Sequence, residues 1–100
     1  MTRGHLYLCA KPGKRNEVLR ALDELAVFAA KQREPGFLGA EIQLPFGDDQ
    51  RLLVWSAWAS REHYERWLGS TAGQALLRAI RPLLAEEPVW RVYQVVEAIN

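Results

Sequence analysis

Leu52-Leu53-Val54-Trp55-Ser56-Ala57-Trp58-Ala59 is the stretch on which the fold turns. Side chains of an extended chain alternate between two faces. Here one set holds Leu52, Val54, Ser56 and Trp58, and the other holds Leu53, Trp55, Ala57 and Ala59. Both sets are apolar, which predicts a strand in the middle of a sheet covered on two sides. The run is far shorter than the ~20 apolar residues of a membrane span.

Upstream, Pro45-Phe46-Gly47-Asp48-Asp49-Gln50 is dense in turn formers and predicts a hairpin back to a second strand over Phe37–Leu44. Gly39 sits inside that strand, where a glycine marks a bulge or a close backbone approach. Pro35-Gly36 stops a preceding amphipathic helix over Lys14–Arg33. Its apolar stripe is Val18, Leu22, Leu25 and Ala29, widened by Leu19, Ala26 and Phe28. A first strand, Leu6–Ala10, ends at the Lys11-Pro12-Gly13 turn. It sets His5, Tyr7 and Cys9 on one face and Leu6, Leu8 and Ala10 on the other.

Downstream, Ser60 is placed to cap a short helix bearing Tyr64, Trp67 and Leu68 on one side, ended by Gly69. Thr71 with Gln74 has the spacing of a capping box for another helix. Its expected stripe is Ala72, Leu76, Ala79, Ile80 and Leu83, with Pro82 bending or ending it. Val89–Val96, rich in β-branched and aromatic residues, is the fourth strand.

The order β-α-β-β-α-β predicts a single domain over residues 1–100, an α+β ferredoxin-like fold with a four-stranded antiparallel sheet. Helices of that arrangement cover one face of the sheet only. The doubly apolar strands then require a cover for the other face, and a second copy of the same sheet supplies it, so a homodimer is expected.

Bulk properties narrow the function. Thirteen basic and twelve acidic residues give a net charge of +1, with no basic block interleaved with aromatics, which argues against a nucleic-acid partner. The lone Cys9 forms no intrachain disulfide and no cysteine-based metal site. His5 and His63 have no third partner at ligand spacing, so no metal site is expected. Lys11-Pro12-Gly13-Lys14-Arg15 lacks the glycine spacing of a phosphate loop. The N-terminus has no apolar leader and no stretch reads as a membrane anchor, so a cytoplasmic protein is expected.

Three stretches resemble the antibiotic-biosynthesis-monooxygenase family. They are the Arg33-Glu34-Pro35-Gly36-Phe37 turn, the Trp58-Ala59-Ser60-Arg61-Glu62 strand end, and Tyr64-Glu65-Arg66-Trp67-Leu68-Gly69-Ser70, an aromatic-x-x-Trp-x-x-Ser helix. The resemblance implies a dimeric α+β barrel with a pocket between helices and sheet in each monomer. It also implies oxygenation of phenolic or quinol-like aromatics without a metal or flavin cofactor. A heme-degrading branch of the family uses a histidine ten residues after the helix Trp, and Leu77 stands there. A Leu cannot ligate iron. The phenol-oxygenating branch places an amide four residues before that Trp, and His63 stands there, one helical turn from Trp67.

Trp67 and His63 are therefore the candidate catalytic residues. An imidazole can hydrogen-bond a phenol oxygen or take its proton near neutral pH. Tyr7, His5 and Trp58 are candidate substrate-binding residues. Each has a plainer reading: Trp67 as a core filler, His63 facing solvent or packed on indole, Trp58 clamping the strand end. His5 and Tyr7 reach either the pocket or the dimer interface, and Cys9 reads as a small apolar residue. Three functions fit: a cofactor-independent monooxygenase, a small-molecule-binding or stress-response module without chemistry, and a structural dimer with a filled interior.

Overall fold

A computed structural model describes the backbone of residues 1–31 and 34–99, and the side chains of those residues outside 25–31. The chain runs β1 (Thr2–Cys9), α1 (Arg15–Lys31), β2 (Phe37–Gln43), β3 (Arg51–Trp58), α2 (Arg61–Leu68), α3 (Thr71–Ile80) and β4 (Val89–Gln94). A single 3-10 turn at Arg81–Leu83 links α3 to β4. The four strands form one antiparallel sheet in the order β2-β3-β1-β4. This is the ferredoxin-like α+β fold, and β3, apolar on both faces, occupies an interior position.

Several local expectations shift by a residue or more. β1 begins at Thr2 and not at Leu6, because Thr2–Tyr7 are hydrogen-bonded to strands on both sides. The cap of α3 is Ser70, whose Oγ accepts the Gly73 N–H at 3.1 Å, and not Thr71. Gln74, the expected partner in a capping box, instead donates to the Leu68 carbonyl at 2.8 Å. Ala79 is exposed, and the inward face of α3 carries Gly73, Leu76, Leu77 and Ile80. The expected stripe residues Leu25, Ala26, Phe28 and Ala29, and the expected helix end at Arg33, lie outside the described side chains and residues.

Other signals match. Ser60 caps α2, its Oγ accepting the His63 N–H at 3.3 Å. Pro82 lies in the 3-10 turn that replaces the end of α3, as a residue without a backbone N–H requires. In the β2–β3 turn, Asp48 Oδ1 accepts from the Gln50 and Arg51 backbone N–H groups at 2.8 and 2.9 Å. The Arg51 and then the Gln50 N–H hold its carboxyl below the usual range.

The helices lie on one face of the sheet. Leu6 and Leu8 from β1, Ala10 just beyond it and Leu52 from β3 meet Val18 and Leu22 of α1 and Leu76, Leu77 and Ile80 of α3 in a continuous buried core. At about 25 cal/mol per Å² of apolar surface removed from water, each fully buried Leu or Ile contributes roughly 1.5–3 kcal/mol. The opposite face carries Arg3, His5 and Tyr7 of β1, with Leu53 and Trp55 of β3 and Val89, Arg91 and Tyr93 of β4 as their cross-strand partners. Among the described residues no helix is long and apolar enough to cross a membrane.

Candidate functional site

Short of the core, toward the β2 edge, the helices and sheet stand apart around a cavity of about 290 Å³. That is close to the lower bound of small-molecule pockets, roughly 300–1,000 Å³. Ile42 of β2 and Val54, Ser56 and Trp58 of β3 form its sheet wall, and Leu22 of α1, Tyr64, Trp67 and Leu68 of α2 and Leu76 of α3 form its helix wall. Phe37 closes one side.

Trp58 is the hub of the aromatic wall. Its ring centroid lies 5.2 Å from Phe37, 5.6 Å from Tyr64 and 6.0 Å from Trp67. The strand places it there by parity, two residues beyond Ser56 on the helix-facing side. Its indole N–H donates to Ser56 Oγ at 2.9 Å, and that hydroxyl donates to the Gly4 carbonyl at 3.4 Å. This buried chain satisfies every member, which fixes the Trp58 ring.

Trp67 differs. Its Nε1 is buried and has no hydrogen-bond partner among the described residues. A buried N–H left unpaired costs about 1–3 kcal/mol. Tyr64 sits one turn before it on α2, its ring laid on the backbone of Gly4. Burial pushes the Tyr64 hydroxyl up to about 12, so it stays a neutral donor throughout the physiological range.

His63 does not line the cavity. Its Nδ1 lies 2.7 Å from Ser60 Oγ, and its ring fills the space in front of Gly36. Gly36 adopts φ +78°, open to glycine, and its carbonyl accepts the Ala59 N–H at 2.8 Å. His63 thus clamps the turn entering β2 to the start of α2, at the back of the aromatic wall.

His5 and Tyr7 lie on the sheet face turned away from the helices and away from this cavity. Their rings stack at 6.2 Å, and Tyr93 meets His5 edge-on at 5.0 Å. Beside them the Arg3 guanidinium lies 5.0 Å over the Trp55 ring. The fold therefore brings Trp58 and Trp67 together, sets His63 behind them, and places His5 and Tyr7 across the sheet. Tyr64, Phe37 and Ser56 are wall residues that sequence reading did not single out for the site. Tyr64, as an aromatic one turn from Trp67, and Phe37, as the aromatic of the Pro-Gly turn, each carried a signal.

A heme does not fit this wall. Leu77, at the position where the heme-degrading branch has its histidine, is packed in the core, and no described histidine lines the cavity. Among the described residues no group of three or more His, Cys, Asp or Glu side chains could hold a metal ion.

The model of the antibiotic biosynthesis monooxygenase family matches residues 3–79. The chain belongs to this family. The matched segment runs from β1 into the last turn of α3, so every described residue that lines the cavity falls within it. Solved structures repeat the fold of this monooxygenase-family chain. A candidate antibiotic biosynthesis monooxygenase from Caulobacter crescentus CB15 superposes with a TM-score of 0.84 at 24% identity, over 96% of this chain and 90% of that one. SnoaB, a cofactor-independent oxygenase from Streptomyces nogalater, does so with a TM-score of 0.84 at 15% identity, covering 98% and 95% of the two chains. Rv0793 from Mycobacterium tuberculosis gives 0.83 at 15% identity, covering 99% and 98%. No curated protein gives a significant sequence match.

Proposed function

We propose that this family member is a monooxygenase that uses O2 to oxidise a phenolic or quinol-like aromatic bound between its helices and sheet. One observation carries the reading: Trp67, whose buried indole N–H has no partner among the described residues, stands in the aromatic wall of the cavity. A phenol oxygen is a matching acceptor, and its ring suits a wall built from Trp58, Phe37 and Tyr64.

In this reading the substrate supplies the electrons. The phenol loses its proton, the phenolate passes an electron to O2, and the resulting superoxide and substrate radical combine into a C–O bond. The hydroperoxide then expels water, so that phenol plus O2 gives quinone plus water. Trp67 orients the substrate through its N–H and favours the oxyanion over the neutral phenol. Trp58 and Tyr64 hold the ring and exclude water. His63 is assigned a positioning role through Gly36, and the proton leaves to water at the open side of the cavity. His5 and Tyr7 are assigned to a homodimer interface, where the aromatic open face of one sheet covers that of a second copy.

A non-catalytic binding module of the same fold has one observation in its favour, the engagement of His63 Nδ1 by Ser60 behind the wall. Oxygen uptake by the metal-stripped protein over a panel of naphthols and hydroquinones separates the two. Uptake above the uncatalysed rate that falls in Trp67→Phe supports the monooxygenase. Binding without uptake across the panel supports the module. Sedimentation equilibrium of the unaltered protein against Tyr7→Lys tests the dimer, which the variant should weaken.

A further inference from the structure

The described lining of the cavity carries charge of one sign. Among its described lining residues are Asp23 on α1 and Glu34 in the turn that enters β2, and there is no Lys, Arg or His. Glu41 also borders the cavity, but its cross-strand partner is Trp55 of the open face, and its Oε1 accepts from Gln43 Nε2 at 2.9 Å. Asp23 is exposed and Glu34 is half-buried, whereas the Trp67 N–H is buried. The carboxylates therefore belong to the solvent side of the wall, and the unpaired donor belongs to the interior. Neither Asp23 nor Glu34 forms an ion pair with a described cation.

We infer that Asp23 and Glu34 determine ligand charge: the cavity takes an uncharged or cationic aromatic phenol and rejects the carboxylated counterpart. The inference rests on the reading of this cavity as the ligand site. Two carboxylates beside a low-dielectric opening focus a negative potential along the path of entry. A ligand carboxylate would meet that potential and also lose its hydration against an apolar wall with no described cation to repay it. An ammonium substituent would meet the same potential favourably. The single negative charge that the proposed chemistry creates, on the phenol oxygen, is tolerated at the Trp67 N–H.

The test is isothermal titration calorimetry near pH 7 at low salt, with three probes on one scaffold: 2-naphthol, 6-hydroxy-2-naphthoate and 6-(aminomethyl)-2-naphthol. The proteins are the unaltered chain, the double variant Asp23→Asn with Glu34→Gln, and Ala40→Phe, which fills the cavity mouth. The naphthoate should bind about tenfold more weakly than naphthol to the unaltered chain, and the aminomethyl probe at least as tightly as naphthol. In the double variant the naphthoate penalty relative to naphthol should shrink to about threefold or less, and added salt should narrow the gap likewise. Equal binding of naphthoate and naphthol, or an unchanged gap in the double variant, overturns the charge inference and leaves the cavity reading standing. Absence of binding by all three probes, or naphthol binding undiminished in a folded Ala40→Phe, overturns the cavity reading and the inference with it.

Discussion

The Tyr64 ring lies so close over Gly4 that a Cβ at position 4 would stand 2.5 Å from Tyr64 Cζ. A strand glycine and a helix tyrosine are thereby locked together across the layers, and the same Gly4 carbonyl accepts from Ser56 beneath Trp58. Gly4→Ala should push Tyr64 off the sheet, with a stability loss of about 1–3 kcal/mol, the usual size of an overpacking penalty. Urea denaturation followed by far-UV circular dichroism measures it. If Gly4→Ala costs nothing further in a Tyr64→Ala background, the effect belongs to this contact.

Trp67→Phe separates binding from stability. The substitution removes a buried N–H that has no partner among the described residues, so the ligand-free protein should change by no more than about 1 kcal/mol, the relief of that orphan offsetting lost packing. Naphthol affinity should fall by about two- to tenfold, the worth of one hydrogen bond. A parallel loss of stability and affinity would mark Trp67 as a packing residue alone.

Tyr64 makes stability depend on alkaline pH. Its folded pKa of about 12 lies above the ordinary value of 10.0, because burial disfavours the phenolate. The unfolded chain therefore releases this proton first, and stability present below pH 10 is lost as pH rises toward 12. The loss should be at most about 2–3 kcal/mol. Comparing unfolding free energies at pH 9 and pH 11.5 in the unaltered protein and in Tyr64→Phe isolates it, since the variant should show a smaller decline.

His63→Ala distinguishes a clamp from a base. As a clamp behind the wall, its loss should lower kcat/KM for an oxidised naphthol several-fold and cost about 1 kcal/mol of stability, while the pH–rate profile keeps its shape. Loss of a limb near neutral pH would instead show that the imidazole takes the substrate proton.

The architecture could be read from the chain because strand alternation and helix spacing are local and strong. Leu52–Ala59, apolar on both sides, could only be an interior strand, and Ser60 and Pro82 mark helix boundaries through the backbone groups they satisfy or lack. The start of β1 was hidden, since Arg3 and Gly4 have poor strand propensity and are held by neighbours distant in sequence. Ser70 and Thr71 offer the same capping chemistry one residue apart, and only the Gly73 N–H geometry decides between them.

The site was legible in part. Trp58 and Trp67 announce themselves by type and spacing, but a cavity wall drawn from α1, β2, β3, α2 and α3 is a tertiary fact. For β1, His5 and Tyr7 were correctly placed together on one face. Nothing in a strand apolar on both sides says which face the helices take. His63 shares a helix with Trp67, yet Ser60 and Gly36 hold its ring behind the wall, a contact that depends on the chain returning from β2.

The bulge at the start of β2 carries a consequence for how this wall can change over time. Phe37 is paired with Trp58, but Gly39, at φ +149°, is paired with the next residue back, Ala57, leaving Leu38 as the extra residue and exposed. Were the bulge to close by a slip of one position, Leu38 would stand opposite Trp58 and Phe37 would turn to the other side of the sheet. The same amino acids would then present an aliphatic tile where an aromatic one now stands. The chemical character of the chamber is thus set by the parity of a single edge, which gives descent a route to new ligands that leaves the core composition untouched.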